Sequence, residues 1–350
     1  MALAAAPLAV GAWPARLAAR DEVRVPFLQY PLGGGWEGFI IFDRFVAQNH
    51  EWLRPVQQET GGYVHNLKVM ATDKNLQKTA TFGSSTGAIY LAENAYKPFF
   101  PEPLPCDDFL HLFGEYMLGQ VWLVTFDENI KKVEDLKGQP IGVGLKTQTH
   151  WGGLLSFVLD KAYGMTYDNA PLQSLGPVKA LDALFDGKVK AAMLSCNVNV
   201  PPVTKIQVGP TVTRIAASGR SYHMLEWPPD IINKLVKDTG VPLYSVELPP
   251  NTLPNQPEPF NIFADIGTRS VHKDFPEELA YELTKAFIEI GPKAGAMSTI
   301  GQLWTPQTMV SPFAFDWTYK DNIHPGAKKA FVEADMWPPE KIWKPVAVGE

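Results

Sequence analysis

Between residues 121 and 202 the chain spells out a strand, a hydroxyl-rich loop and a helix start, and this succession limits what the rest can fold into. The apolar run over residues 121–126, bounded by polar residues, reads as a buried strand. A second short strand over 140–144 follows the Lys137-Gly138 turn and leads into Lys146-Thr147-Gln148-Thr149-His150, after which Leu154, Leu155, Val158 and Leu159 recur at helical spacing. A helix start of this kind presents unpaired backbone N–H groups and the positive end of the helix dipole, so an anion or carboxylate can bind there with little further machinery.

The same succession recurs upstream. A strand over residues 23–28 precedes Pro31-Leu32-Gly33-Gly34-Gly35-Trp36, and Ile40, Ile41, Phe45 and Val46 then mark a helix. These glycines fit neither GxGxxG nor GxxxxGKS, so a nucleotide reading has no motif behind it, and a plain tight turn fits as well as a ligand contact. Thr60-Gly61-Gly62-Tyr63-Val64-His65-Asn66 is a turn at a helix start that Thr60 can cap, and Phe82-Gly83-Ser84-Ser85-Thr86-Gly87 follows residues 78–81 in the same way. Small polar loops that each join a strand end to a helix predict an α/β sheet with a cleft over its strand termini.

Downstream, residues 211–217 read as a strand, 236–246 as a turn and 248–260 as a long proline-rich loop. A helix follows over 276–290 with Asp274 as its cap candidate, and a last helix over 325–336. Asn197 and Asn199 follow the apolar strand 191–194, where each can meet a ligand or close a turn before Pro201-Pro202.

With 350 residues and a net charge of −6, the chain has room for two domains and no basic excess to hold a phosphate backbone. No apolar run approaches the roughly 20 residues of a membrane span. Residues 1–20 are Ala-rich and apolar, with Ala18-Ala19 before Arg20-Asp21-Glu22; they read either as a secretory h-region lacking its basic n-region or as a disordered tail. Cys106 and Cys196 lack metal-ligand spacing and read as buried small hydrophobes. No motif calls for a cofactor.

Asp135-Leu136-Lys137-Gly138-Gln139-Pro140-Ile141-Gly142-Val143-Gly144, the segment 180–192 (ALDALFDGKVKAA), the segment 279–285 (LAYELTK) and His324-Pro325-Gly326-Ala327 together resemble the TAXI family, the solute receptors of TRAP-type transporters. The pieces run in the family's order from about Gly33 to the C-terminus. The resemblance implies a periplasmic-binding-protein type II fold: α/β, with mixed, mostly parallel sheets flanked by helices and a ligand cleft between two lobes. Residues 1–22 would precede the fold, 23–116 and 222–350 would form the first lobe, and 117–221 the second. It also implies an exported, periplasmic receptor that does no chemistry, closes on a small ligand by a hinge, and hands it to membrane subunits of an ion-coupled transporter. His324 would be structural, fixing the return of the chain onto the first lobe.

The loops that would touch ligand depart from the family. Trp36-Glu37-Gly38 follows Gly34-Gly35 where a hydroxyl is usual, Tyr63 and His65 replace a serine and an acid, and Thr147-Gln148-Thr149-His150 replaces a G-S-G-T-like loop. Each change adds bulk. Trp36, Tyr63 and Trp151 bring flat surface that can stack on a ring, unless they pack within the lobes. Gly34, Gly35, Trp36, Tyr63, Asn66, Ser84, Ser85, Thr147, Gln148, Thr149, His150 and Asn197 are therefore the expected binding set, with Lys146 and His150 the nearest cationic candidates. The ligand expected is a small organic acid, in one form with an aromatic or apolar body. The rival readings are an enzyme, with Cys196 near His150, and a cytoplasmic sensor on the same fold. The enzyme reading has no GxSxG elbow, HExxH helix or phosphate loop behind it.

Overall fold

The computed structural model describes residues 21–31, 36–314 and 321–344. The export-like segment 1–20 and the glycines Gly34 and Gly35 lie outside them. Eleven strands form one mixed sheet: β1 (Val23–Leu28), β2 (Leu53–Gln58), β3 (Thr81–Ser85), β4 (Phe109–Thr125), β5 (Ile141–Val143), β6 (Leu172–Ser174), β7 (Ala191–Val198), β8 (Ile206–Val208), β9 (His223–Leu225), β10 (Tyr244–Leu248) and β11 (Phe260–His272). The helices are α1 (Ile40–Asn49), α2 (Tyr63–Thr72), α3 (Leu76–Thr79), α4 (Thr86–Glu93), α5 (Leu155–Tyr163), α6 (Pro177–Phe185), α7 (Pro210–Ala216), α8 (Pro229–Thr239), α9 (Glu277–Ala294), α10 (Pro306–Ala314) and α11 (Pro325–Glu333). The class is α/β with helices flanking a mixed sheet, as expected, but the pairings among the described strands are not mostly parallel: four are parallel and six antiparallel, because the long crossing strands β4 and β11 and the short strands beside them run against their neighbours.

The main strand order is β2-β1-β3-β11-β4-β7-β5-β6. β1 runs parallel to β2 and β3 at one end, and β5 runs parallel to β6 and β7 at the other. Between them the two long strands β4 and β11 pair antiparallel, so each runs from one half of the sheet into the other. Opposite β11, β4 carries one extra residue at Glu115 and another at Leu112. Such bulges bend a strand and re-aim its side chains, here at the midpoint of the crossover. β9 pairs with Leu123, Val124 and Thr125 of β4, and β10 with residues 260–264 of β11. Residues 223–264 thus share strands with the β7 side of the sheet, although the sequence grouped them with the C-terminal part.

Several segments differ from expectation for local reasons. Residues 211–217 are rich in β-branched side chains, yet Pro210 sits at a helix first turn, where its missing N–H costs nothing, and Val212 and Ile215 bury one face of α7. The expected turn over 236–246 begins inside α8, which the sequence reading did not mark; Pro229 starts this helix, Asp230 suits its dipole, and Gly240 ends it at φ +73°. The expected loop 82–85 is the fully buried end of β3. Thr60 does not cap α2: its hydroxyl donates to the Gln29 carbonyl and accepts from Gly62 N, and Gly62 holds the cap position at φ +111°. Nor does Asp274 cap α9, whose cap position is Pro276. His324 does cap α11, accepting from Gly326 N at 3.2 Å while its Nε2 lies 3.1 Å from the Phe275 carbonyl. Cys106 and Cys196 are buried free thiols, and burial pushes both pKa values up.

A stacked group of Phe39, Phe113, Phe287 and Trp304 packs α9 and α1 onto β4, with Phe113 and Phe287 centroids 3.9 Å apart. Beside it, Asp43 of α1 accepts from Gln57 at 2.6 Å, and burial raises its pKa from 3.8 to about 7 against the opposing pull of Gln57 and Arg269. A carboxyl with its folded pKa raised takes up a proton on folding, so its contribution is most favourable below about pH 4 and is lost as pH rises to about 7. Asp43→Asn should flatten the pH dependence of stability over that window, as read by denaturant unfolding at pH 4.5 and 7.5. An unchanged slope would show that Asp43 is not the group responsible.

Candidate functional site

Strand ends from the two halves of the sheet meet around His150. On one side stand the end of β1 (Gln29, Tyr30), the start of α2 (Gly62, Tyr63) and the β3–α4 junction (Ser84 to Gly87). On the other stands the loop after β5, which runs into a π-helical turn, Thr149–Leu154, ahead of α5. Such turns are rare and frequent at functional sites. Gly144 and Gly152 make this one possible: a Cβ on Gly144 would lie 2.3 Å from the Trp151 carbonyl carbon, and one on Gly152 2.2 Å from the Leu145 carbonyl oxygen. Trp151 itself is half-buried against the core.

The contacts across the junction are short. His150 Nε2 lies 2.9 Å from Ser85 Oγ and 3.5 Å from Asp265 Oδ1, and its ring meets Tyr63 edge-on at 5.0 Å. A Cβ on Gly62 would sit 2.9 Å from the Thr147 carbonyl oxygen, and one on Gly87 would sit 2.8 Å from both Leu154 and Asp265 Oδ2. Gly87 N donates to Asp265 Oδ2 at 3.1 Å, and Ala88 N donates to Ser85 Oγ at 3.1 Å. Two of the first N–H groups of α4 are thereby spent on protein acceptors.

Three polar atoms here are buried without a partner: Tyr63 OH, Gln148 Oε1 and Thr149 Oγ1. Burial holds the Tyr63 and Tyr116 phenols well above their ordinary pKa, so both stay neutral hydroxyls. Tyr30 OH is 2.9 Å from Tyr116 OH, and the Tyr30 and Tyr63 rings meet edge-on at 5.4 Å. Arg269 and Glu115 form a fully buried ion pair, with Nε and Nη2 at 2.8 and 2.7 Å from Oε1. Arg269 also donates to Gln29 Oε1 and the Leu28 carbonyl, and lies over the Phe27 and Phe39 rings. Burial still raises the Glu115 pKa against the pull of Arg269, and Glu115 Oε2 is unpartnered.

The expected set divides. Tyr63, Ser85, Thr147, Gln148, Thr149 and His150 come together at this junction, whereas Ser84, between Gly83 and Ser85 in β3 and opposite Thr268, faces the other side of the sheet. Asn66 is a strap: its amide donates to the Leu28, Gln29 and Gly83 carbonyls, tying β1 to β3. Asn197 lies within β7 and donates to Gln207 of β8, and Asn199 closes the turn by accepting from Thr204 N and Lys205 N. Trp36 is buried with an unpartnered indole N–H. Lys146 is exposed and sits 4.8 Å over the Tyr167 ring rather than at the junction. Sequence reading missed Tyr30, Glu115, Tyr116, Asp265 and Arg269. The signal available was a charge inside an apolar strand run, FADIGTR for the last two.

Ser85, His150 and Asp265 look at first like a hydrolytic triad, but both partners approach the same imidazole nitrogen. In a triad the acid holds the nitrogen opposite the nucleophile, and here the serine oxygen is already a helix cap. What the arrangement offers is neutral hydrogen-bond donors at the seam between two halves of a sheet.

No curated protein matches the chain significantly. Among solved structures it is similar to the alkanesulfonate-binding protein SsuA from Xanthomonas axonopodis pv. citri bound to MOPS (14% identity, 81% of this chain and 80% of that one, TM-score 0.39). It is also similar to a TctC solute binding protein from Polaromonas (12%, 91% and 96%, TM-score 0.45) and to PhnD1 from Prochlorococcus marinus in complex with methylphosphonate (10%, 90% and 98%, TM-score 0.46). At these scores they bear no weight for ligand or partner. A family profile matches residues 31–334, from the end of β1 through α11, and the chain belongs to the NMT1-like family.

Proposed function

We propose that this protein is an extracytoplasmic solute-binding receptor that captures a small organic anion between two lobes and delivers it to the membrane subunits of a TRAP-type, ion-coupled transporter. The observation that carries the reading is the group of buried, unpartnered polar atoms on Tyr63, Gln148 and Thr149, drawn from both halves of the sheet. Native proteins leave few such atoms without partners, and a bound solute would satisfy them. Two of the three are hydroxyls, which suits a carboxylate oxygen.

In this reading β1 to β3, the first part of β4 and the chain after about residue 265 form one lobe, and residues from about 117 to 265 form the other. This reading draws the return crossing in β11 rather than at residue 222, and the pairing of β9 with β4 and of β10 with β11 supports it. β4 and β11 then serve as the two hinge strands. The TRAP assignment rests on the resemblance of residues 135–144, 180–192, 279–285 and 324–327 to the TAXI receptors, and the export assignment follows from it. The receptor performs no turnover.

Native mass spectrometry of the protein as purified tests this. A retained small acid, released unchanged on denaturation, is the expected result. A chemically altered product, or loss of no mass together with no thermal shift across a panel of organic acids, would sink the receptor reading. Cell fractionation should release the full-length protein with the periplasm.

A further inference from the structure

We infer that Asp265 sets the ligand class: it makes the site accept an acid with one negative charge and reject one with two. The inference rests on the receptor reading above and adds the charge of the solute and the residue that selects it.

A dicarboxylate needs two places where negative charge is welcome. The start of a helix is such a place, since its first N–H groups lack partners within the helix and carry partial positive charge. The start of α4 is already filled from within the protein. Asp265 Oδ2 accepts from Gly87 N, Ser85 Oγ accepts from Ala88 N, and the Asp265 side chain is fully buried. Asp265 reaches this position from β11, the crossover strand, and so stands as a built-in anion at the point where a second ligand carboxylate would dock. A Cβ at position 87 would meet its carboxylate at 2.8 Å, which shows how closely the helix start is fitted to it.

The cations near the junction are also accounted for. Arg269 is matched by Glu115 and surrounded by carbonyl and amide oxygens. Whatever charge His150 carries faces Asp265 at 3.5 Å. Lys146 is turned to the Tyr167 ring, and Lys68 donates to the Phe99 carbonyl and lies over Phe100. Among the described residues the junction therefore holds no cation in excess of its acids. The unpartnered hydroxyls of Tyr63 and Thr149 remain, and neutral donors of this kind can hold one carboxylate. A second carboxylate would be desolvated beside Asp265 and Glu115 with no counter-charge.

The test compares acids that share a skeleton and differ by one charge: glutarate against monomethyl glutarate, and succinate against monomethyl succinate. Titration calorimetry on the full-length protein, stripped of any retained ligand, should give the monoesters at least about tenfold tighter binding than the diacids. Asp265→Ala opens the start of α4 and should reverse that order, while Asp265→Asn keeps the shape, removes the charge and should bring the ratio toward one. Diacids binding the native protein more tightly would overturn the charge inference and leave the receptor reading standing. A folded Asp265→Asn variant with the native ratio would also overturn it. Silence toward all four acids and toward benzoate and phenylacetate would overturn both.

Discussion

Glu115→Leu should lower stability by about 3–5 kcal/mol, the usual cost of stranding one charge of a fully buried pair. Arg269 would keep its guanidinium in a site with no exposed surface, left with Gln29 Oε1, the Leu28 carbonyl and the Phe27 and Phe39 rings but no counter-ion from Glu115. The double variant Glu115→Leu/Arg269→Met should recover much of the loss, because apolar residues of similar volume often replace such a pair at little cost. Denaturant melts of the three proteins decide the matter. Equal losses in the single and double variants would mean that the hinge needs the charges themselves. The pair sits where β4 gains its extra residue, so the same variants report on whether the bulge is held by that ion pair.

Gly62→Val should separate the two sides of the junction. Position 62 has φ +111° and ψ −179°, a region that residues with a Cβ reach only at a cost of about 1–3 kcal/mol. The new Cβ would also meet the Thr147 backbone oxygen at 2.9 Å, and backbone gives way less readily than a side-chain tip. Both effects penalise the closed arrangement. Because apparent affinity scales with the closed fraction, a penalty of that size should weaken ligand binding about fivefold to hundredfold. Small-angle scattering should show a larger radius of gyration for the variant. Native compactness with native affinity would show that the close approach of residues 62 and 147 is incidental.

The framework was legible in the sequence where local signals are strong. β1 is placed to the residue, α1, α5 and α9 are placed by their apolar spacing, and the last helix is placed after Asn322-Ile323-His324. The loops now seen around His150 announced themselves by small and hydroxyl-bearing residues at strand ends. Failures came where two local rules conflict. Thr211, Val212, Thr213 and Ile215 favour a strand by side-chain type, and the proline before them favours a helix; burial of Val212 and Ile215 on one face decided it.

The partners of His150 were invisible for a different reason. Asp265 lies 115 positions further along the chain and Ser85 lies 65 positions back, so no window on the sequence contains both. Asn66 shows the converse. It matches a family position, yet its amide is spent on three carbonyls, which a motif alone does not reveal.

β11 lies between β3 and β4, yet it is made only after residue 260. Thr268 pairs with Ser84, and Gly267 pairs with Tyr116 on its other side, so the middle of the sheet closes only through contacts between residues far apart in sequence. Contacts of this range slow folding, because the loop must be closed before any pairing rewards it. During synthesis the first three strands and β4 must wait with open edges until the last third of the chain arrives. A chain built in this order withholds its final packing until its last third is being made.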